Sequence, residues 1–295
     1  MNALRSFAWL LALVAIVAAS PARTAEISLP RAGLFARTNL VAWCIVPFDA
    51  KKRGPAARAK MLDELGIRRL AYDYRAEHVP TFDEEIATMK RHGIELTAWW
   101  FPTVLNDEAR LILATLKRHK VSPQLWIMGG GTPVSTPSEQ ERRVTEESKR
   151  IRELAVAAAE IGSRIGLYNH GGWFGQPENQ IAIIERLKAD GITNVGIVYN
   201  LHHGHEHLDR FAKLLGLMKP HLIALNLNGM DPRGDELGRK ILPVGEGKLD
   251  RDWIKIVSDS GWFGPIGILN HTDEDAEVRL RRNLEGLSLL CTDRR

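Results

Sequence analysis

Short apolar runs alternate along this chain with longer amphipathic stretches, and polar or glycine-rich turns separate the two. The predicted strands are Leu40 to Val46, Arg69 to Asp73, Glu95 to Trp100, Gln124 to Met128, Arg164 to Tyr168, Val195 to Tyr199, Leu222 to Leu227 and Ile266 to Leu269. Runs of four to eight apolar residues bounded by turn signals are the pattern of buried parallel strands. A helix is predicted after each. Pro55 and Pro177 open the first and fifth, since proline suits the first helical position, and Gly66, Gly93 and Gly191 close three of them. Thr81 with Glu84 three residues on reads as a capping box; Asn106 caps the third helix and Ser138 a long fourth one reaching about Ile161. Helix six is predicted from Glu206 to Met218, helix seven from Asp250 to Ser258 and helix eight from Glu274 to Leu290.

Eight strand–helix units in about 250 residues argue for an α/β fold, a single closed (β/α)8 TIM barrel over residues 39–295. No Gly-x-Gly-x-x-Gly follows the first strand, which removes the usual sign of a dinucleotide-binding open sheet. Ahead of the barrel, Arg5 precedes an apolar run from Phe7 to Ala19 and then SPARTA. The run is short for a membrane span and fits a secretory signal over residues 1–22, followed by a lead-in over 26–38. Cleavage after Ala22 places Ser20 at the −3 position; cleavage after Ala25 places Arg23 there, which is poorer. The expected product is a periplasmic or secreted protein with no membrane segment once the signal is removed; an uncleaved anchor is the alternative.

The formal net charge of +4 is mild, and no basic run is interleaved with aromatics, so nothing points to nucleic acid. The two cysteines, Cys44 and Cys291, are expected to be buried free thiols.

The chemistry gathers where predicted strands end. In a barrel all those ends face one mouth. They supply Asp49, Asp73 with Arg75, Trp99 and Trp100, Asn169 and His170, Asn200, His202 and His203, Asn226 and Asn228, and Asn270 and His271. Indole faces beside amide side chains suit a polyol: the ring stacks on C–H faces and amides serve hydroxyls as donors and acceptors. Only one of Trp99 and Trp100 should reach the mouth, because adjacent strand residues face opposite ways. His170, His203 and His271 are candidate general acids and bases, since imidazole titrates near neutral pH. Asp73, Trp100, Asn169, Asn200, His202, Asn226, Asn228 and Asn270 are candidate ligand-binding residues.

The eight-unit pattern, with IGLYNHGGW, GIVYNLHHGHEH, LIALNLNGM and GPIGILNHTDEDAEVRLRRNLEGL, resembles the xylose isomerase-like TIM barrels, the sugar phosphate isomerase/epimerase family. It resembles in particular an exported branch of that family. The resemblance implies a small carbohydrate as partner and proton transfer beside a sugar carbonyl. It also implies one divalent metal, held by a Glu from strand five, an Asp from strand six, a His from strand seven and a Glu from strand eight. Those positions are here Tyr168, Asn200, Asn226, and Leu269 or Asn270, while the His three residues after the strand-six position is kept as His203. Neutral amides ligate divalent ions weakly beside carboxylates and imidazoles. Three readings follow. The metal has moved to His203 and His207, four apart, with Glu206 or Asp209 adding oxygen. Alternatively, His170, His203 or His271 moves protons on a free or oxidised sugar without metal. The third reading is a carbohydrate-binding barrel that has lost catalysis.

Overall fold

Eight parallel strands close into one barrel, each paired with its sequence neighbours and the last with the first. The computed structural model describes residues 33–292. The predicted signal, both cleavage candidates and residues 26–32 of the lead-in lie outside the described residues. The strands are β1 (Leu40–Trp43), β2 (Arg69–Tyr72), β3 (Glu95–Trp100), β4 (Gln124–Ile127), β5 (Arg164–Tyr168), β6 (Val195–Asn200), β7 (Leu222–Leu227) and β8 (Ile266–Leu269). The helices are α1 (Pro55–Leu65), α2 (Phe82–Arg91), α3 (Asp107–His119), α4 (Pro137–Ala159), α5 (Pro177–Ala189), α6 (Phe211–Met218), α7 (Asp250–Asp259) and α8 (Ala276–Thr292). Among the described residues, no helix is long and apolar enough to cross a membrane.

Alternation along the strands sorts the core into two clusters. Outward residues such as Leu70, Trp99, Leu125, Leu167, Ile197 and Leu225 pack under the helices. Inward residues, among them Val41, Trp43, Ala71, Ala98, Trp126, Tyr168, Val198 and Ala224, fill the barrel. Small residues make room for large ones. A Cβ on Gly166 would stand 2.7 Å from Trp126 Cδ1, so glycine there admits the indole. One on Gly267 would meet Asn226 Oδ1 at 1.9 Å, so glycine on β8 lets the Asn226 side chain lie across it.

Several boundaries differ from the sequence expectation, each for a local reason. β1 stops at Trp43 because Cys44 is left-handed, with φ of 58°. Thr81 makes no cap: a 3-10 turn, Ala76–Thr81, runs straight into α2, and the Thr81 hydroxyl donates to His78 O instead. Helix α4 starts one residue before Ser138, at Pro137, and Thr136 forms the capping box with Glu139. Asn106 caps α3 as expected. Residues His205–Arg210 form a 3-10 helix, so α6 begins only at Phe211.

Both cysteines are free. Cys44 is buried among the inward residues; Cys291 is half-buried, against the outward ones, so the barrel wall separates them. One ion pair is sealed between helices. Arg58 of α1 and Glu85 of α2 are 1% and 0% exposed, and Arg58 also donates to Arg53 O at 2.5 Å.

Candidate active site

Parallel pairing brings the carboxyl ends of all eight strands to one mouth, which contains a cavity of about 60 Å³. Its floor is aromatic: Trp43, Trp100 and Tyr168, with Phe48 from the loop after β1. Trp43 lies edge-on to Trp126 at 4.8 Å between ring centres and 6.0 Å from Trp100, and Trp100 is edge-on to Tyr168 at 5.1 Å. Trp43 Nε1 donates to Tyr168 Oη at 3.3 Å. Trp99 points the other way and packs 4.5 Å from Tyr72 in the outward cluster, so Trp100 is the member of the pair that reaches the mouth.

The wall is polar: Cys44, Asp73, Arg75, His170, His203 and His271. The 3-10 turn Leu201–His203 directs its two imidazoles into this group. Ring centres lie 3.6 Å apart for His202 and His203, 4.5 Å for His170 and His203, and 5.3 Å for His202 and His271. His271 in turn lies 3.9 Å from the Phe48 ring. Burial, the neighbouring imidazoles and Lys240 all oppose protonation. They bring His203 down to about 3 and His202 well below the ordinary imidazole range; His170 is lowered by burial and also by Lys240, against a backbone hydrogen bond that raises it. For His271 burial leads and Arg75 comes next. All four imidazoles are therefore neutral at pH 7, each with one donor and one acceptor nitrogen.

Asp73 behaves in the opposite way. It is 2% exposed, and neither oxygen makes a hydrogen bond of ordinary geometry, though the Cys44 thiol and the backbone of Val46 lie close enough to act on it. Burial pushes its carboxyl up to about 7, against the opposing pull of Arg75. Burial also drives the Cys44 thiol well up, with the Asp73 charge adding to it, so Cys44 stays protonated beside that carboxyl. A carboxyl titrating near neutrality beside neutral imidazoles has the ionisation that proton transfer requires.

The asparagines divide. Asn169 uses both amide atoms on the β6 backbone: Oδ1 accepts from Asn200 N at 2.7 Å and Nδ2 donates to Asn200 O at 3.1 Å. It clamps β6, which takes up one of its two N–H donors and one of its two oxygen lone pairs. Asn200 Oδ1 accepts from His202 N at 3.3 Å, and its Nδ2 donates to Tyr168 Oη. Asn228 Nδ2 donates to Gly229 O at 2.8 Å, leaving Oδ1 unpartnered. Asn226 and Asn270 are fully buried, with neither amide atom partnered, and His202 Nδ1 is likewise unpartnered. Buried polar atoms are nearly always satisfied, so this unsatisfied row marks a polar centre beneath the imidazoles.

His207 does not join His203. Its Nδ1 meets Tyr199 Oη at 2.9 Å and its Nε2 meets Gln176 Oε1 at 3.0 Å. Tyr199 belongs to the outward cluster, whereas His203 sits against the inward Tyr168. The spacing of four places two residues on one face only in an α-helix, and this segment is 3-10. The expectation of a His203–His207 metal pair is corrected accordingly. The four-residue ligand set of the resembled family does not fit either. Tyr168 and Asn200 are hydrogen-bonded to each other, and Leu269 offers carbon. Among the described residues, no three His, Cys, Asp or Glu side chains are grouped so as to hold a metal ion.

Sequence reading omitted Trp43, Cys44, Phe48 and Tyr168 from the candidate ligand contacts, and it placed Arg75 at the mouth without giving it a role. Parity carried the signal for two of them: Trp43 and Tyr168 end their strands facing inward, as Trp100 does. A larger groove, of about 520 Å³ between Arg37, Leu65 and Leu284, lies on the helical exterior, whereas one of about 310 Å³ adjoins the mouth and shares Arg75 and Trp100 with it.

No family model matches the chain, and no curated protein matches it. Solved structures do resemble it. The apo form of 3-keto-D-glucoside 4-epimerase YcjR from E. coli is 15% identical, covers 86% of this chain and 99% of its own, and has a TM-score of 0.62. D-psicose 3-epimerase with D-tagatose from Clostridium cellulolyticum H10 is 14% identical, with 86% and 98% covered and a TM-score of 0.59. The IOLI protein with a bound zinc atom is 14% identical, with 86% and 98% covered and a TM-score of 0.65. At these identities the likeness shows a shared xylose isomerase-like barrel fold.

Proposed function

We propose that this barrel binds a small carbohydrate at its mouth and moves a proton at a carbon next to a carbonyl, as in isomerisation, epimerisation or elimination. The observation that carries the reading is Asp73: a buried carboxyl in one cavity with His170, His203 and His271. Ionised, it accepts the proton from carbon. The neutral imidazoles donate hydrogen bonds to the carbonyl oxygen as charge builds there. Trp100 offers a ring face to the C–H side of the sugar. The fold shared with sugar epimerases supports the substrate class. The Tyr168–Asn200–Leu269 arrangement gives no reason to route the step through the metal ligands of the resembled family.

Incubation in D2O with a panel of free and 3-keto sugars tests this by NMR. One sugar should take up solvent deuterium at a single carbon, with a rate that rises with pH through about 7 as Asp73 ionises. His203→Ala should slow that exchange about 100-fold, the scale of a lost general acid, with little change in melting temperature. His207→Ala should lower the melting temperature and keep the exchange, because His207 is tied to Tyr199, Gln176 and Glu206 outside the mouth. Sugar binding with no deuterium uptake anywhere on the panel would favour a non-catalytic carbohydrate-binding barrel.

We further propose that the chain is exported, on the strength of Arg5 and the apolar run Phe7 to Ala19. Terminal sequencing of protein recovered outside the cytoplasm should begin at Arg23 or Glu26; an intact Met1 terminus would refute cleavage.

A further inference from the structure

Two cations stand at this mouth with no carboxylate paired to them. Arg75 lines the cavity, its guanidinium 5.3 Å above the Phe48 ring, and its Nη1 donates to Asp73 O and Tyr74 O, both at 2.8 Å. Those backbone contacts fix the guanidinium in place while its other nitrogens stay free. Lys240 comes from the long loop between β7 and α7. That loop is pinned over the mouth by four contacts. His205 Nε2 and Asn228 Nδ2 reach Lys240 O at 3.0 and 3.4 Å. Arg279 of α8 donates to Ile241 O at 3.2 Å, and Gly229 bridges Leu242. Ile241 packs against the inward cluster, which seats the adjacent Lys240 at the rim, within electrostatic reach of His170, His202, His203 and His271.

Among the described residues, neither Arg75 nor Lys240 has an ion-pair partner, and both are solvent-exposed. The carboxylates facing this region are Asp73, buried behind Arg75, Asp273, beside His271, and Glu108, which shares the adjoining groove with Arg75 and accepts from Tyr74 Oη at 2.6 Å. Elsewhere on the surface, arginines are commonly paired, as in Arg118–Asp83, Arg142–Glu146 and Arg282–Glu246. A neutral sugar needs no unpaired cations at its site, whereas a carboxylate or phosphoryl group gains charge-assisted hydrogen bonds from them. Below the rim lie neutral donors that do not compete for the anion.

We infer that the ligand of this mouth is a sugar bearing an anionic group, whose negative charge sits between Arg75 and Lys240. The inference rests on the reading of the mouth as a carbohydrate site. It narrows the substrate class to sugar acids or sugar phosphates.

Isothermal titration calorimetry of the full chain tests it with D-glucose, D-glucuronate, D-glucose 6-phosphate, acetate and inorganic phosphate. At low salt one of the two charged sugars should bind at least about tenfold tighter than glucose, the scale of a hydrogen bond to a charged group. Which one does so tells carboxylate from phosphoryl. The preference should shrink with added salt, because the cations are exposed. In Arg75→Gln and in Lys240→Gln the ratio should fall to within about twofold of one, while Lys213→Gln on α6 keeps it; thermal melts check that each variant folds. Equal binding of glucose and both charged sugars overturns the inference, as does a preference that survives in both rim variants. Binding of acetate or phosphate as tightly as the charged sugars overturns it too. The two proposals fail separately. A charged-sugar preference without deuterium exchange leaves the inference standing and removes the proton-transfer reading. Exchange on a neutral sugar that binds as well as its acid does the reverse, and no binding by any sugar removes both.

Discussion

Asp73→Asn should yield a protein that is inactive and, above neutral pH, more stable than its parent. The inactivity follows from removing the one buried carboxyl of the mouth; loss of a general base costs about 100- to 10,000-fold. The stability gain follows from linkage. The folded-state value, about 7, lies above the ordinary 3.8, so the folded protein holds this proton more tightly than the unfolded chain does. A group of that kind contributes stability fully below its unfolded value, and the contribution is lost as pH rises through the folded one. Between about pH 4 and pH 7 the parent should therefore weaken while the asparagine variant does not. The difference is at most about 4 kcal/mol at pH 8 and is reduced by the cost of the buried amide itself. Urea unfolding at about pH 5 and pH 8 measures it. A variant that keeps turnover, or one no more stable than the parent at pH 8, contradicts this role for Asp73. The result would be a local trade of stability for function, with the ionised base destabilising the fold that carries it.

The second large effect lies in the sealed pair between α1 and α2. Glu85→Ala should cost about 3–5 kcal/mol, because it leaves the Arg58 charge buried without its counter-ion. Burial pushes Glu85 up in spite of Arg58 beside it. The pair's hydrogen bonding is also incomplete, since Arg58 Nε and Glu85 Oε1 have no partners. The double variant Arg58→Met with Glu85→Leu should recover most of the loss, as apolar replacements of buried pairs often do. Chemical denaturation of the single and double variants makes the comparison. A single variant within about 1 kcal/mol of the parent would mean that the Arg58 charge finds water or another partner. The consequence reaches the mouth, because Arg58 also holds Arg53 O in the loop that carries Phe48 and Asp49.

The barrel was legible because its signals are periodic and repeated. Eight apolar runs reveal strands whatever their neighbours do, and the closed order β1 to β8 follows from the repeat. Strand parity required Trp99 and Trp100 to face opposite ways, and they do, Trp99 under the helices and Trp100 at the mouth. The parts that were illegible depend on local backbone geometry or on hydrogen-bond partners distant in sequence. His207 turned away because residues 205–210 coil as 3-10, and no periodicity marks that. Asn169 reads like a ligand residue, yet its partners are the backbone atoms of Asn200, 31 positions on. Cys44 ends β1 in a left-handed conformation that a cysteine does not advertise. Lys240 sits in a loop of more than 20 residues, where only the packing of Ile241 shows which part of the loop meets the mouth.

The aromatic floor has an optical consequence. Trp43 lies 4.8 Å from Trp126 and 6.0 Å from Trp100. At such separations indole transition dipoles couple, so part of this protein's aromatic circular dichroism reports the geometry around its ligand cavity. The chain thus carries a spectroscopic probe at the place where its ligand is expected, and displacement of Trp100 by a bound ring would be read there without any label.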